Sequence, residues 1–235
     1  MPQLLMASAE PTQRVLPLIH QRWRNLTFLH WAVAADVVQR FLPARLTADT
    51  FDGSAWVTLT PFSTTCSFAG IPLPGERRFP ETNVRTYVRG PDGRDGLWFF
   101  SLDVTNRTNV VLGRGIGLPY HVGDMGVTSD GAWHYEGRRA KHHQARYDIR
   151  VEPGFAIEQT QRDVFLTGRW SAYVEFAGRI VRYDVAHEPW PLHDATVVTL
   201  DETMLAAAGI QRLGDPIVQF TPGVDAKLAP GRLIF

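Results

Sequence analysis

Pro80-Glu81-Thr82-Asn83-Val84-Arg85-Thr86-Tyr87-Val88 is the stretch on which the reading of this chain turns. At the two-residue period of a strand, Glu81, Asn83, Arg85 and Tyr87 share one face, and Thr82, Val84, Thr86 and Val88 share the other. A carboxylate, an amide, a guanidinium and a phenol in one row make either a solvated outer face or the polar wall of a pocket. Charged groups ordinarily sit outside, and an ion pair there is worth little. The opposite face, however, is small and only moderately apolar, and the interior of a closed barrel can be a ligand cavity lined by such a row. Both readings stand open on the residues alone.

Working outward, Pro91-Asp92-Gly93 is a turn, and residues 97–105 return as a second strand, which makes a hairpin. On the N-terminal side, residues 54–62 alternate as a strand after the Asp52-Gly53 turn signal. Residues 21–34 read as an extended, buried strand carrying Trp23, Phe28, His30 and Trp31. Such histidines are mostly hydrogen-bonded core groups, although His30 is also a candidate ligand-binding residue. Residues 35–42 have helical spacing and end at Pro43. Residues 67–80, rich in Gly and Pro, read as a loop that would serve a lid or a homo-oligomer interface equally well.

Further strands are expected at residues 126–139, 145–152, 170–176 and 179–187, and short helices at 161–167 and 202–208, the latter closed by Gly209. The total is roughly nine strands with two or three short helices. Strands at hairpin spacing argue for an antiparallel barrel or curled sheet. No internal repeat or low-complexity linker divides the chain, so residues 1–235 read as one domain with a loose arm over residues 1–12.

Composition narrows the chemistry. The 235 residues carry 24 Lys+Arg against 24 Asp+Glu, so no net field draws the chain to nucleic acid or to an anionic membrane. No run approaches the ~20 apolar residues of a membrane span, and no signal peptide is legible at the N-terminus. Cys66 is the only cysteine, which points to a reducing cytoplasm. Only Lys141 and Lys227 supply amines for imine chemistry. No zinc-binding histidine motif or nucleophile elbow occurs, so the sequence implies neither a metal nor a cofactor. Adjacent His142 and His143 would point to opposite faces of a strand.

Gly113-Arg114-Gly115-Ile116-Gly117-Leu118-Pro119-Tyr120-His121 fits neither a phosphate loop nor a dinucleotide fingerprint. It reads as a kinked strand with a bulge, or as a segment that places Arg114, Tyr120 and His121 at a pocket.

Several phrases resemble the YqjF-like uncharacterised family (DUF2071). They are Arg22-Trp23-Arg24-Asn25-Leu26-Thr27-Phe28-Leu29-His30-Trp31, Phe51-Asp52-Gly53-Ser54-Ala55-Trp56-Val57, the Glu81 to Val88 row, Phe99-Phe100-Ser101-Leu102-Asp103, Gly117-Leu118-Pro119-Tyr120, His187-Glu188-Pro189-Trp190-Pro191-Leu192 and Pro222-Gly223-Val224-Asp225. That family has no established biochemical role and is similar, at the superfamily level, to acetoacetate decarboxylase. The resemblance implies a mainly β (α+β) fold: a curled, mainly antiparallel β-barrel of the acetoacetate decarboxylase-like type enclosing a pocket, with short peripheral helices.

Acetoacetate decarboxylases carry a Gly-Arg-Glu-Ile-Trp-Gly-Phe-Pro-Lys-Lys segment whose first lysine forms the Schiff base. The stretch from Gly113 to His121 is similar to it with one residue missing, and Tyr120 and His121 stand at the two lysine positions. A tyrosine cannot form an imine. The resemblance therefore implies a retained pocket without Schiff-base chemistry.

The leading expectation is binding of, or non-imine acid/base action on, a small carboxylate or carbonyl compound. Glu81, Tyr120 and His121 are the catalytic candidates. Arg85 and Arg114 would hold the anion, with Asn83, Tyr87 and His30 also binding ligand. The contrasting expectation is a structural or interaction module with a barrel filled by side chains. Schiff-base catalysis through Lys141 is the third.

Overall fold

The computed structural model describes residues 18–72, 78–141 and 144–235. The loose arm expected at residues 1–12, the middle of the expected 67–80 loop and the His142-His143 pair lie outside the described residues.

The hairpin at the centre of the sequence reading is present. Strands β1 (Ile19–Val33), β2 (Thr47–Ala48), β3 (Ala55–Phe68), β4 (Ile71–Pro72), β5 (Phe79–Arg89) and β6 (Asp95–Val104) form the first half of the chain, with helix α1 (Ala35–Gln39) after β1. Gly93, at φ 76°, turns β5 into β6, and the Gly90 N–H donates to the Arg94 carbonyl at 2.8 Å. β3 runs six residues beyond the expected end at Phe62 and folds back on β4, so the start of the expected loop is paired strand.

The second half contains α2 (Arg107–Gly115), β7 (Tyr120–Ser129), β8 (Trp133–Arg139), β9 (Arg146–Ala156), α3 (Gln161–Thr167), β10 (Ser171–Phe176), β11 (Arg179–Ala186), β12 (His193–Glu202), α4 (Met204–Ala207), β13 (Ile217–Leu228) and β14 (Arg232–Ile234). Here the sequence reading is corrected. The segment from Gly113 to His121 is not a kinked strand: it is the end of helix α2, a turn at Gly117 with φ 89°, and the start of β7. Asn106 caps the helix by accepting from the Thr108 and Asn109 amides. α2 crosses between β6 and β7, which pair in parallel, and a parallel pair requires such a crossover.

All fourteen strands join one sheet that closes on itself twice. Strands β6, β7, β8, β9, β12, β13, β1, β3 and β5 form a ring of nine, shut by the β5–β6 pairing. A second, smaller ring shares β13, β1, β3, β5 and β6 with the first and is completed by β10 and β11. The shared wall therefore has two inner faces, one for each ring.

Strand alternation assigns side chains to them. Val84 and Val88 of β5 join Leu29, Trp31, Val57, Leu59, Ile149 and Val151 in the main core. Thr82 donates to the Tyr147 hydroxyl on β9 at 2.7 Å, across the nine-strand lumen. Buried side chains of the main core project into that lumen.

A close crossing of β1 and β13 holds the shared wall together. Gly223, at φ 121°, lies so near β1 that an added Cβ would sit 1.9 Å from the Trp23 carbonyl oxygen. Both the left-handed backbone and the missing side chain are required there. We expect Gly223→Ala to lower stability by at least about 2 kcal/mol, read as a fall in the urea midpoint. An unchanged midpoint would show that the crossing has room to spare.

Candidate functional site

The second ring encloses a cavity of about 470 Å3. Its described lining comes from β1, β3, β5, β6, β10, β11, β13, α2 and the end of α3, from Tyr120 at the start of β7 and from connecting residues such as Arg169, His187 and Trp190, and none of it comes from β8, β9 or β12. Glu81, Asn83 and Arg85 point into it from β5, and all three are at least nine-tenths buried. The polar row is thus neither a solvated face nor the wall of the nine-strand lumen. Its members Glu81, Asn83 and Arg85 line a separate hollow on the other side of β5. A β-bulge on β6 lies opposite this row: Val84 pairs with Ser101 but Arg85 pairs with Phe99, so Phe100 is the extra residue, and Leu102 on one side of it and Phe99 and Leu97 on the other all line the cavity.

Three groups define the middle of the cavity. Glu81 is buried, and desolvation pushes its carboxyl up to about 8, while hydrogen bonds from Asn83 and Tyr120 oppose the shift and the Asp103 charge adds to it. At neutral pH it is mainly the neutral acid. Burial, then the Glu81 charge, push the Tyr120 phenol well above its ordinary value. Burial also raises the Cys66 thiol, which faces the same space and is a poor nucleophile in that state.

The Tyr120 ring lies against the turn of α2 where a Cβ on Gly113 would be 2.2 Å away, so a glycine is what lets helix and ring meet. Arg114 lies outside the cavity lining. It is exposed, and its Nε donates to the Tyr120 carbonyl oxygen at 2.7 Å, which braces the tyrosine backbone. His121 follows on the strand, in register with Asp103, and is also outside the lining. The expectation that both reach the pocket is corrected: alternation along β7 takes His121 away from Tyr120, and α2 carries Arg114 outward.

Arg85 forms the closed end. Its Cζ sits 5.2 Å from the centre of the Phe28 ring. Burial pulls its guanidinium below the ordinary value, an effect that the neighbouring Tyr87 phenol opposes. Its Nε has no hydrogen-bond partner, and among the described residues no carboxylate pairs with it. Arg169, also on the lining, differs: it is bound to Asp49 at 2.8 Å and Asp95 at 2.9 Å.

Tyr87 and His30 are beneath this end and not on the lining. The Tyr87 hydroxyl donates to the Leu166 carbonyl at 2.7 Å and shares a 2.7 Å bond with the Thr58 hydroxyl, which in turn meets His30 Nδ1 at 2.8 Å. Burial lowers the His30 pKa well below its ordinary value. His30 is therefore a buried, hydrogen-bonded core histidine.

Several lining residues, Thr60, Asn109 and His187 among them, escaped the sequence reading. Thr60 and Asn109 each carry a buried oxygen without a partner, as does the expected Asn83, and Arg85 has an unpartnered Nε. Buried polar atoms are almost always satisfied, so these four are free to accept from or donate to a molecule in the cavity. His187 packs among Trp170, Trp190 and Trp23 with ring centres 4.5, 4.8 and 5.7 Å away, and burial lowers it to about 4, so it is neutral. Its phrase, from His187 to Leu192, was visible in sequence, but two prolines hid any periodicity. Among the described residues no cluster of His, Cys, Asp or Glu is spaced to hold a metal ion. Among them, too, no helix is long and apolar enough to cross a membrane.

Residues 20–225 match DUF2071, the family described as uncharacterised conserved protein. The chain belongs to the DUF2071 family. A curated relative, the uncharacterised protein YqjF of Bacillus subtilis, is 32% identical over 223 residues, which is 92% of each chain. Among solved structures the family's fold is shared by the enduracididine biosynthesis enzyme MppR bound to the condensation product of pyruvate and imidazole 4-carboxaldehyde (TM-score 0.66, 15% identity, 96% of this chain and 97% of that one). It is shared too by an acetoacetate decarboxylase-like enzyme from Sphingomonas wittichii RW1 (TM-score 0.64, 13% identity, 96% and 99% covered). The acetoacetate decarboxylase of Legionella pneumophila is similar over 99% of this chain and 93% of its own (TM-score 0.63, 10% identity). These likenesses establish a mainly β, acetoacetate decarboxylase-like fold.

Proposed function

We propose that the cavity binds a small compound bearing a carboxylate and a carbonyl or similar oxygen function, and that any turnover there is acid/base chemistry without an imine. One observation carries this reading: Arg85 is a buried guanidinium, aimed into a cavity, with no carboxylate of its own chain paired to it. An uncompensated buried charge is costly, and an anionic guest removes the cost. A guanidinium also matches a carboxylate with two parallel donors. MppR, of the same fold, has been solved with pyruvate bound, which supports a carboxylate as the guest.

In this reading Arg85 anchors the carboxylate and Asn83 orients the ligand. Glu81, neutral at pH 7 because of its raised pKa, donates a proton to the ligand oxygen, and Tyr120 holds the Glu81 carboxyl in place. Arg114 acts through the Tyr120 backbone, and Tyr87 and His30 support the floor beneath Arg85. His121 has no part in it.

No lysine is among the described lining residues, and Lys141 and Lys227 are both exposed. We therefore expect borohydride reduction in the presence of acetoacetate or pyruvate to leave the protein mass unchanged. A reduced adduct on either lysine would reinstate the imine route.

The direct test is a thermal-shift titration of wild-type protein with small carboxylates, pyruvate and acetoacetate included. Binding to the native state alone raises stability by about 2.7 kcal/mol at a hundredfold excess over Kd. A concentration-dependent rise in Tm is expected with the wild type and is expected to vanish in Arg85→Met. If no carboxylate raises the wild-type Tm, the proposal fails.

A further inference from the structure

The cavity is longer and far more apolar than a small oxo acid needs. A three-carbon oxo acid has about six non-hydrogen atoms and, at roughly 30 Å3 for each, fills less than half of the 470 Å3. Cavities of this size ordinarily bury much larger ligands.

The strand register gives the cavity a direction. Arg85 stands opposite Thr58, Asn83 opposite Thr60 and Glu81 opposite Phe62, and β3 then runs on to Phe68. Arg85 and Glu81 are thus four residues apart, about 13 Å of strand. The guanidinium is at one end, and the Glu81–Tyr120 pair is partway along.

Beyond that pair the lining turns apolar and reaches solvent. Leu18, Phe68, Leu112 and Ile116 line the cavity and are also 38, 45, 51 and 37% exposed. They come from the residue before β1, the end of β3, helix α2 and the residue that follows it, and together they form an apolar rim. Along the described lining the charged side chains are Glu81, Arg85 and Arg169. Glu81 is neutral near pH 7 and Arg169 is already paired, which leaves Arg85 as the one uncompensated charge.

Resting on the reading of the site given above, we propose that the ligand is an elongated amphipathic carboxylic acid. Its carboxylate lies on Arg85 at the closed end, its oxygen function lies beside Glu81 and Tyr120, and an apolar tail leaves along the rim. The chemistry that recognises it is one anion, one hydrogen-bonding group partway along and several methylenes or an aryl group beyond.

Isothermal titration of wild-type protein with butanoate, hexanoate and octanoate at pH 7 tests this. Burying a methylene is worth enough to tighten binding about fourfold, so each step of two carbons should lower Kd by on the order of tenfold. Arg85→Met should weaken the whole series. Leu112→Glu, a change on an exposed helical position, should weaken octanoate far more than butanoate. A series with equal Kd values that still depends on Arg85 would overturn the apolar tail and leave the anion site standing. Octanoate binding that is undiminished in Arg85→Met would overturn the proposed orientation. No binding at any chain length would overturn both this inference and the site reading beneath it.

Discussion

Arg85→Met should give a protein that is harder to unfold than the wild type and no longer responds to carboxylates. The guanidinium is only 8% exposed, stacks on Phe28, and has no carboxylate partner among the described residues. Desolvation of an ion costs several kcal/mol, and where no partner repays it a thioether of similar length is the better occupant. We expect a gain in stability of about 2 kcal/mol in the absence of ligand, measured by urea denaturation, together with loss of the carboxylate-induced rise in Tm. A residue kept for structure would behave in the opposite way: its removal would destabilise the fold. A clear loss of stability in Arg85→Met, with carboxylate responses unchanged, would identify Arg85 as scaffold. Maintaining a destabilising group at a site of action is a familiar trade of stability for function.

Glu81→Gln should remove most of the alkaline decline in stability. The native carboxyl titrates at about 8, against 4.5 for an ordinary one. Between those values the native state holds a proton that the unfolded chain has released, so stability falls as pH rises. The contribution is fully present below about 4.5 and is lost as pH climbs through about 8. Its size over that window is on the order of 5 kcal/mol.

His187 has the opposite sign. Its native value is about 4 against 6.5, so its contribution is present above 6.5 and lost as pH falls through about 4. Glu81 and the two buried histidines, His30 and His187, oppose each other between about 4.5 and 6.5, and Glu81 dominates from there until Cys66 adds to the decline near its ordinary value of 9. Chemical denaturation of wild-type protein should therefore show stability dropping from pH 6.5 to 8.5, whereas Glu81→Gln, which keeps hydrogen-bonding capacity without a charge, stays level. Parallel curves for the two proteins would mean that Glu81 is already ionised at neutral pH, and its role as the proton donor would fall with them.

The physical basis of what was legible in sequence is periodicity. Residues 79–89 alternate strictly, so their two faces separate on inspection, and the Pro91-Asp92-Gly93 turn fixes the return strand. Thr160 and Asp163 form a capping box, and helix α3 lies where the sequence placed it. Helix α2 was missed because three glycines at alternate positions mimic a broken strand. Gly113 is there because the Tyr120 ring occupies the space of a side chain, a contact that exists only once β7 has folded back against the helix. Strands β12 and β13 were missed for a related reason: much of β12 is exposed, and β13 is pinned by backbone contact at Gly223 more than by an apolar pattern.

The chain's own order of residues settled that Glu81, Asn83, Arg85 and Tyr87 lie on one side of one strand, because side chains alternate at every step of an extended backbone. It also settled that few amines exist for imine chemistry, since Lys141 and Lys227 are the only two. Tertiary structure alone decided which space that side faces. A sheet that closes twice gives β5 two interiors: Val84 and Val88 project into the nine-strand lumen, and Glu81, Asn83 and Arg85 line the hollow completed by β10 and β11. Pairings between residues far apart in sequence, β10 on β6 (Ala172 with Leu97) and β11 on β13 (Val185 with Leu228), close that hollow, and no local pattern of apolar and polar residues encodes them.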